Sequence, residues 1–335
     1  MNAYTRPPTI VKLGHQLLAG MLLLIAAAAV AGDNRAKLFP ILEQKQVLTY
    51  LIRFQSAKNV KTESTVATPM APNNAQMDAR GLLQIEVLDA QPLGGKQVLQ
   101  ARGQFLSLDF PVSAKEPREK QSGGDAQRMD PAGKTIEFTI SLDGLIQNSK
   151  GLENLSLEQQ QAWQEWVSRF AMGWTIPAAG VKQGEKWKSE QPEQASAPIA
   201  GLNWTTESTY VRDESCHATQ LSGAGELSTA SVPTEICAVI LTTATLKQKS
   251  SQKDATPEDF KLHELRTAGT AKGKNEVITY ISLKSGLVVR ATEQANQFMD
   301  VVVMTADGSN RVHYNVDATS HSEVLLITQT PLNHP

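Results

Sequence analysis

Leu48-Thr49-Tyr50-Leu51-Ile52-Arg53-Phe54-Gln55 decides the fold class. Leu48, Tyr50, Ile52 and Phe54 alternate with Thr49, Leu51, Arg53 and Gln55, and successive side chains of a strand point to opposite faces. The stretch is therefore a strand with one face buried. The same period runs through Leu83, Ile85 and Val87, through Leu106, Leu108 and Phe110, through Ile136, Phe138, Ile140 and Leu142, and through Val312, Tyr314 and Val316. The breaks carry turn chemistry at Gly94-Gly95, Asp143-Gly144, Ser285-Gly286 and Asp307-Gly308, where glycine takes a positive φ without steric cost. About eleven or twelve such runs put the chain in the mainly β class. Long antiparallel strands then form either one large curved sheet or two related β units. Two polar connections, residues 59–80 and 113–134, read as exposed loops.

One segment changes period. Ala162, Trp163, Trp166, Val167, Phe170 and Ala171 fall on one face of a helix. Ser156 with Gln159 forms a capping box at its start, and Gly173 stands as its terminator. All five tryptophans lie between Trp163 and Trp204. The stripe has two readings: core filling under the sheet, or an apolar pocket lined by Trp163, Trp166, Phe170 and Trp174.

The first residues are an address. Arg6 and Lys12 precede the uncharged run Leu17–Ala29, and Ala29-Val30-Ala31 offers a small-residue cleavage site between Ala31 and Gly32. The run is shorter than a membrane span requires, and no lipoprotein cysteine follows it. Residues 1–31 thus read as a signal peptide, 32–150 as an N-terminal β unit, 151–174 as a connecting helix and 175–335 as a C-terminal β unit. Loss of the leader takes Lys+Arg from 32 to 30 against 34 Asp+Glu, a net −4. A mildly acidic chain has no electrostatic grip on nucleic acid. The expected location is the periplasm or the exterior, with no stable membrane span after processing.

Two cysteines, Cys216 and Cys237, exclude a multi-cysteine metal site. In an exported chain such a pair reads as a disulfide. The segments around Gly133–Ile146 and Gly273–Val288 share a strand, glycine turn and apolar restart, which fits either an internal duplication or two ordinary hairpins. No His-x-x-x-His pair, G-x-S-x-G elbow or phosphate loop is present. No catalytic residue, metal or cofactor is expected.

Val181-x-x-Gly184-Glu185-Lys186-Trp187, Cys237-Ala238-Val239-Ile240 and Tyr280-Ile281-Ser282-Leu283-x-x-Gly286-Leu287-Val288 occur in that order. Together they resemble uncharacterised secreted bacterial β-rich proteins grouped as a domain of unknown function, over residues 175–330. The succession of long strands with one helix is also similar in architecture to periplasmic lipoprotein carriers. That resemblance implies a curved sheet around an apolar cavity plugged by helices. The expectation is an exported, non-catalytic β-protein that binds a lipid, a lipoprotein moiety or another hydrophobic ligand. The alternative is a structural protein of envelope assembly that binds an envelope partner.

Overall fold

A computed structural model describes residues 35–65, 73–109, 134–155, 157–193, 197–221, 227–228 and 234–331. The leader with its Ala31/Gly32 cleavage position, the capping residue Ser156 and all but Lys134 of the 113–134 connection lie outside the described residues. The chain runs β1 Gln46–Ser64, β2 Asn73–Leu93, β3 Lys96–Asp109, β4 Thr135–Ile140 and β5 Ile146–Lys150, then helices α1 Leu157–Phe170 and α2 Met172–Thr175. It continues as β6 Lys186–Pro192, β7 Leu202–Cys216, β8 Gln220–Leu221, β9 Leu227–Ser228, β10 Glu235–Gln248, α3 Glu258–Leu262, β11 Leu265–Ser282, β12 Val288–Thr305 and β13 Arg311–Pro331.

Eleven strands make one open sheet in the order β5-β4-β3-β2-β1-β13-β12-β11-β10-β7-β6, while β8 and β9 pair separately. Every neighbour is antiparallel. Of the two arrangements the sequence allows, the single sheet is the one formed. Its seam joins the first strand to the last, from Gln46↔Pro331 to Ser64↔Val312. The halves on either side of α1 therefore share one hydrogen-bonded sheet.

The expectation of a loop over 59–80 is corrected. β1 continues to Ser64, and β2 starts at Asn73. Asn59, Lys61 and Glu63 have no apolar alternation because both faces of the ladder are wet there. Backbone pairing to β13 carries the strand instead.

Four bulges line up across the sheet. Leu106 is the extra residue opposite Leu82/Leu83, Ile327 opposite Thr49/Tyr50, Val289 opposite Tyr280/Ile281 and Val211 opposite Val239/Ile240. The register connects them, through Leu83↔Tyr50 and Tyr280↔Val239. Each bulge bends its strand and raises the local twist, so the aligned set curls the sheet along one line. The large core gathers at that line, with Tyr50, Leu83, Phe105 and Leu326 buried.

α1 and α2 cover this core on one face of the sheet. Gly173 does not end α1 as a left-handed cap. It lies buried inside α2, where a Cβ would stand 2.9 Å from the Pro40 ring. Residues 38–42 form a strap across that end, with Leu38 and Leu42 buried. Gly286 takes φ 69° in its turn, and a Cβ there would meet the Phe39 carbonyl oxygen at 2.0 Å. Gln97 clasps the strap with both ends of its amide: Leu42 N–H donates to Oε1 at 2.9 Å, and Nε2 donates to the Leu42 carbonyl at 3.1 Å. A smaller core around Ile199, Leu202, Leu246, Ala271 and Val301 forms between the 197–202 segment and β10–β12.

Candidate functional site

The aromatic stripe of α1 packs ring against ring. Trp166 stacks on Phe170 at 4.9 Å, Phe170 meets Trp174 at 5.5 Å, and Trp163 meets the edge of Phe138 at 5.1 Å. Tyr50 adds contacts to Trp166 and Phe170 from the sheet. The helix can come this close because β3 has Gly103 beneath Trp163: a Cβ there would be 2.5 Å from Cζ3. Trp174 Nε1 donates to the Gln97 carbonyl at 2.7 Å. Lys96 Nζ donates to the Leu142 carbonyl at 3.0 Å, and burial lowers its pKa below the usual lysine value. All four residues of the expected apolar pocket are thus fully buried.

At its last turn α1 carries a buried charge. Arg169 pairs with Glu293 of β12, their side chains 9% and 4% exposed. Ser322 of β13 donates to Glu293 Oε2 at 3.3 Å. An ion pair this dry persists only with its partners in place, so the pair fixes the end of α1 against β12. Tyr50 Oη and Trp166 Nε1 are buried without a hydrogen-bond partner among the described residues. Burial pushes the Tyr50 hydroxyl well above the usual phenol pKa.

A cleft of about 580 Å³ spans β2, β1, β13 and β12. Its lining falls into cross-strand rows. One is Asp78–Gln55–His321–Gln294 and the next is Gln76–Ala57–Thr319–Asn296. Phe54 of β1 points into the core, so by alternation Gln55 and Ala57 point to the opposite face. Met77, Ser56, Ser320 and Ala295 form the row between and by the same alternation point to the core side, where Met77 packs against the large core. Three strand spacings of about 4.8 Å give the cleft a length of about 14 Å. Inside it, Gln55 Nε2 donates to Asp78 Oδ2 at 3.4 Å. None of Trp163, Trp166, Phe170 and Trp174 lines this cleft. The sequence pattern missed it because Gln55 and His321 meet only through the seam.

Elsewhere on this face, His313 Nε2 lies 2.6 Å from Asp300 Oδ1, and His313 Nδ1 lies 3.7 Å from Glu63 Oε2. Among the described residues no group of three or more His, Cys, Asp or Glu has the arrangement of a metal site. Cys216 and Cys237 form a disulfide with Cα atoms 5.8 Å apart, joining β7 to β10 beside the core. Trp187, at the turn the sequence singled out, is half-buried in β6. No described helix is long and apolar enough to cross a membrane.

No family model and no curated protein matches the sequence. Among solved structures the chain is similar to a Parabacteroides distasonis protein provisionally designated a lipoprotein. The identity is 10% over 89% of this chain and 100% of that one, with a TM-score of 0.24. It is also similar to a mutant Rh. blastica porin, at 8% identity over 83% of this chain and 100% of that one, with a TM-score of 0.18. TM-scores this low carry no inference about shared fold or function.

Proposed function

We propose that the chain is an exported, non-catalytic β-protein that works by binding, and that the cleft across β2-β1-β13-β12 is where it binds. The supporting observation is the cleft itself: a hollow of about 580 Å³ across four strands, within the usual range for ligand sites. Export is supported by the amino-terminal charge and hydropathy pattern and by the Cys216–Cys237 disulfide. The test is a photo-crosslinking amino acid at Thr319, in the middle of the cleft, in growing cells. A defined adduct is expected. An adduct pattern identical to that of a probe at exposed Leu262, far from the cleft in sequence, would reject the reading.

A second reading keeps the hydrophobic ligand. It is favoured by Tyr50 Oη and Trp166 Nε1, two buried polar atoms with free hydrogen-bonding capacity inside an aromatic cluster. A lipid headgroup admitted beside α1 would satisfy them. Organic extraction of protein purified from its own cells would release that lipid; an extract free of lipid would reject this version.

A further inference from the structure

One end of the sheet carries apolar side chains that the core does not take up. Among the described residues nine large apolar side chains are exposed, and four of them, Ile41, Leu93, Ile236 and Leu283, stand at the end that the strap crosses. Hydrogen bonds link their positions in a line. Leu93 closes the β2–β3 hairpin, and its neighbour Pro92 pairs with Gln97, whose amide clasps Leu42. Ile41 N–H donates to the Ser285 carbonyl at 3.2 Å, and Leu283 N–H donates to the Ile236 carbonyl at 2.9 Å. The line therefore runs from the β2–β3 hairpin over the strap to the β11–β12 turn and the start of β10. Ile41 is 65% and Leu93 58% exposed, apolar area that a partner surface would remove from water.

Lysines border this line. Lys37 and Lys45 flank the strap in the sequence, and Lys284 lies in the β11–β12 turn. All three are exposed, and none has a carboxylate partner among the described residues. Of the nearby carboxylates, Glu43 is exposed, and Glu235 accepts a hydrogen bond from Ser282 Oγ at 2.5 Å.

Aliphatic side chains on turns, with lysines around them, are complementary to an anionic lipid surface. The aliphatic groups enter the boundary of the acyl region. Each lysine lays its stem along apolar surface and keeps its ammonium among the headgroups. A protein partner fits less well, because protein interfaces gather aromatic residues and arginine and are depleted of lysine. None of the four exposed side chains is aromatic.

We propose that this end of the sheet docks on an anionic membrane surface, with Ile41 and Leu283 inserted and Lys37, Lys45 and Lys284 against the headgroups. The export pattern of the leader would bring the chain to such a surface. Docking here is independent of the cleft, since Gln55 lies nine residues along β1 from Gln46, about 30 Å in a strand.

The test is flotation of residues 32–335 with vesicles of phosphatidylglycerol and phosphatidylethanolamine, set against vesicles of phosphatidylcholine alone. Binding to the anionic vesicles is expected, falling as salt rises from about 0.05 to about 0.5 M and screens the lysines. Ile41→Ser/Leu283→Ser and Lys37→Glu/Lys284→Glu should each weaken binding by about tenfold or more. Leu262→Ser, an exposed change on α3, should leave it unaltered. All the substituted side chains are exposed, and unchanged melting temperatures will confirm that the variants fold. No flotation, equal flotation with both kinds of vesicle, or full binding in either double variant overturns the membrane. A concentration-dependent dimer in analytical ultracentrifugation that Ile41→Ser/Leu283→Ser dissolves overturns it too, and gives the surface to a second copy of the chain.

Discussion

Gly103 and Trp163 show how a single missing methyl positions a helix. The indole of α1 occupies the volume that any other residue at 103 would fill. Gly103→Ala is expected to destabilise the protein by about 1–3 kcal/mol through overpacking, read as a lower denaturation midpoint. An unchanged midpoint would mean that α1 can shift without loss. Arg169 supplies the opposite case, a side chain whose removal strands a partner. Arg169→Ala leaves Glu293 buried and uncompensated, and should cost about 3–5 kcal/mol. The double variant Arg169→Met/Glu293→Leu should recover most of that loss; if it is no more stable than the single variant, packing around the pair and not its charge is what matters. Arg169 could have been noticed in the sequence, since it lies three residues after Trp166 on the apolar stripe of the helix. The cleft residues could not. Nothing local marks Gln55 or His321, and only long-range pairing brings them side by side.

Strands were legible in the sequence where one face is dry and illegible where both are wet. Leu48, Tyr50, Ile52 and Phe54 recur because they face the core, whereas Asn59 to Ser64 pair with β13 where neither face meets that core. The β12–β13 turn is another local device. Asp307 accepts hydrogen bonds from Thr305 Oγ1 at 2.5 Å, from the Ser309 amide at 3.0 Å and from Ser309 Oγ at 2.9 Å. These bonds, led by that of Thr305, hold its pKa down to about 2, against an ordinary 3.8. Because the folded value is the lower one, the turn's contribution is complete above the ordinary value. It is lost as pH falls through about 2. Side-chain NMR of Asp307 should therefore titrate near 2, with Ser309 amide protection lost in the same window; titration near 4 would mean the turn hydrogen bonds do not form. The edges are blunted as well. β5 is short and polar. β6 presents Lys186 and Lys188, both reaching Glu207 on β7. Charged side chains on an edge oppose pairing with another chain, so Lys186→Val/Lys188→Val should raise concentration-dependent self-association in analytical ultracentrifugation. No rise would show that the edge is guarded by something other than charge.

At the scale of the molecule, the disulfide fastens β7 to β10. Cross-linking residues separated by 21 in sequence contributes about 3 kcal/mol by chain entropy. Reduction should lower the melting temperature, and a melting curve indifferent to reductant would mean the bond stabilises nothing. The fold class and the helix were visible in residue patterns because each is a local periodicity. The strand order was not, because a sequence of alternating runs fits one sheet or two equally well until β1 finds β13.

That seam sets an order of events for the growing chain. β1 emerges early and β13 nearly last, so through most of synthesis the ladder side of β1 that β13 will cover stays open. Contacts that join such distant segments are slow to form and leave unpaired strand edges exposed in the interval. The protein is thereby committed to a late closing step. Kinetic traps and intermolecular mispairing will concentrate at β1 and β12, the two strands that wait for the final one.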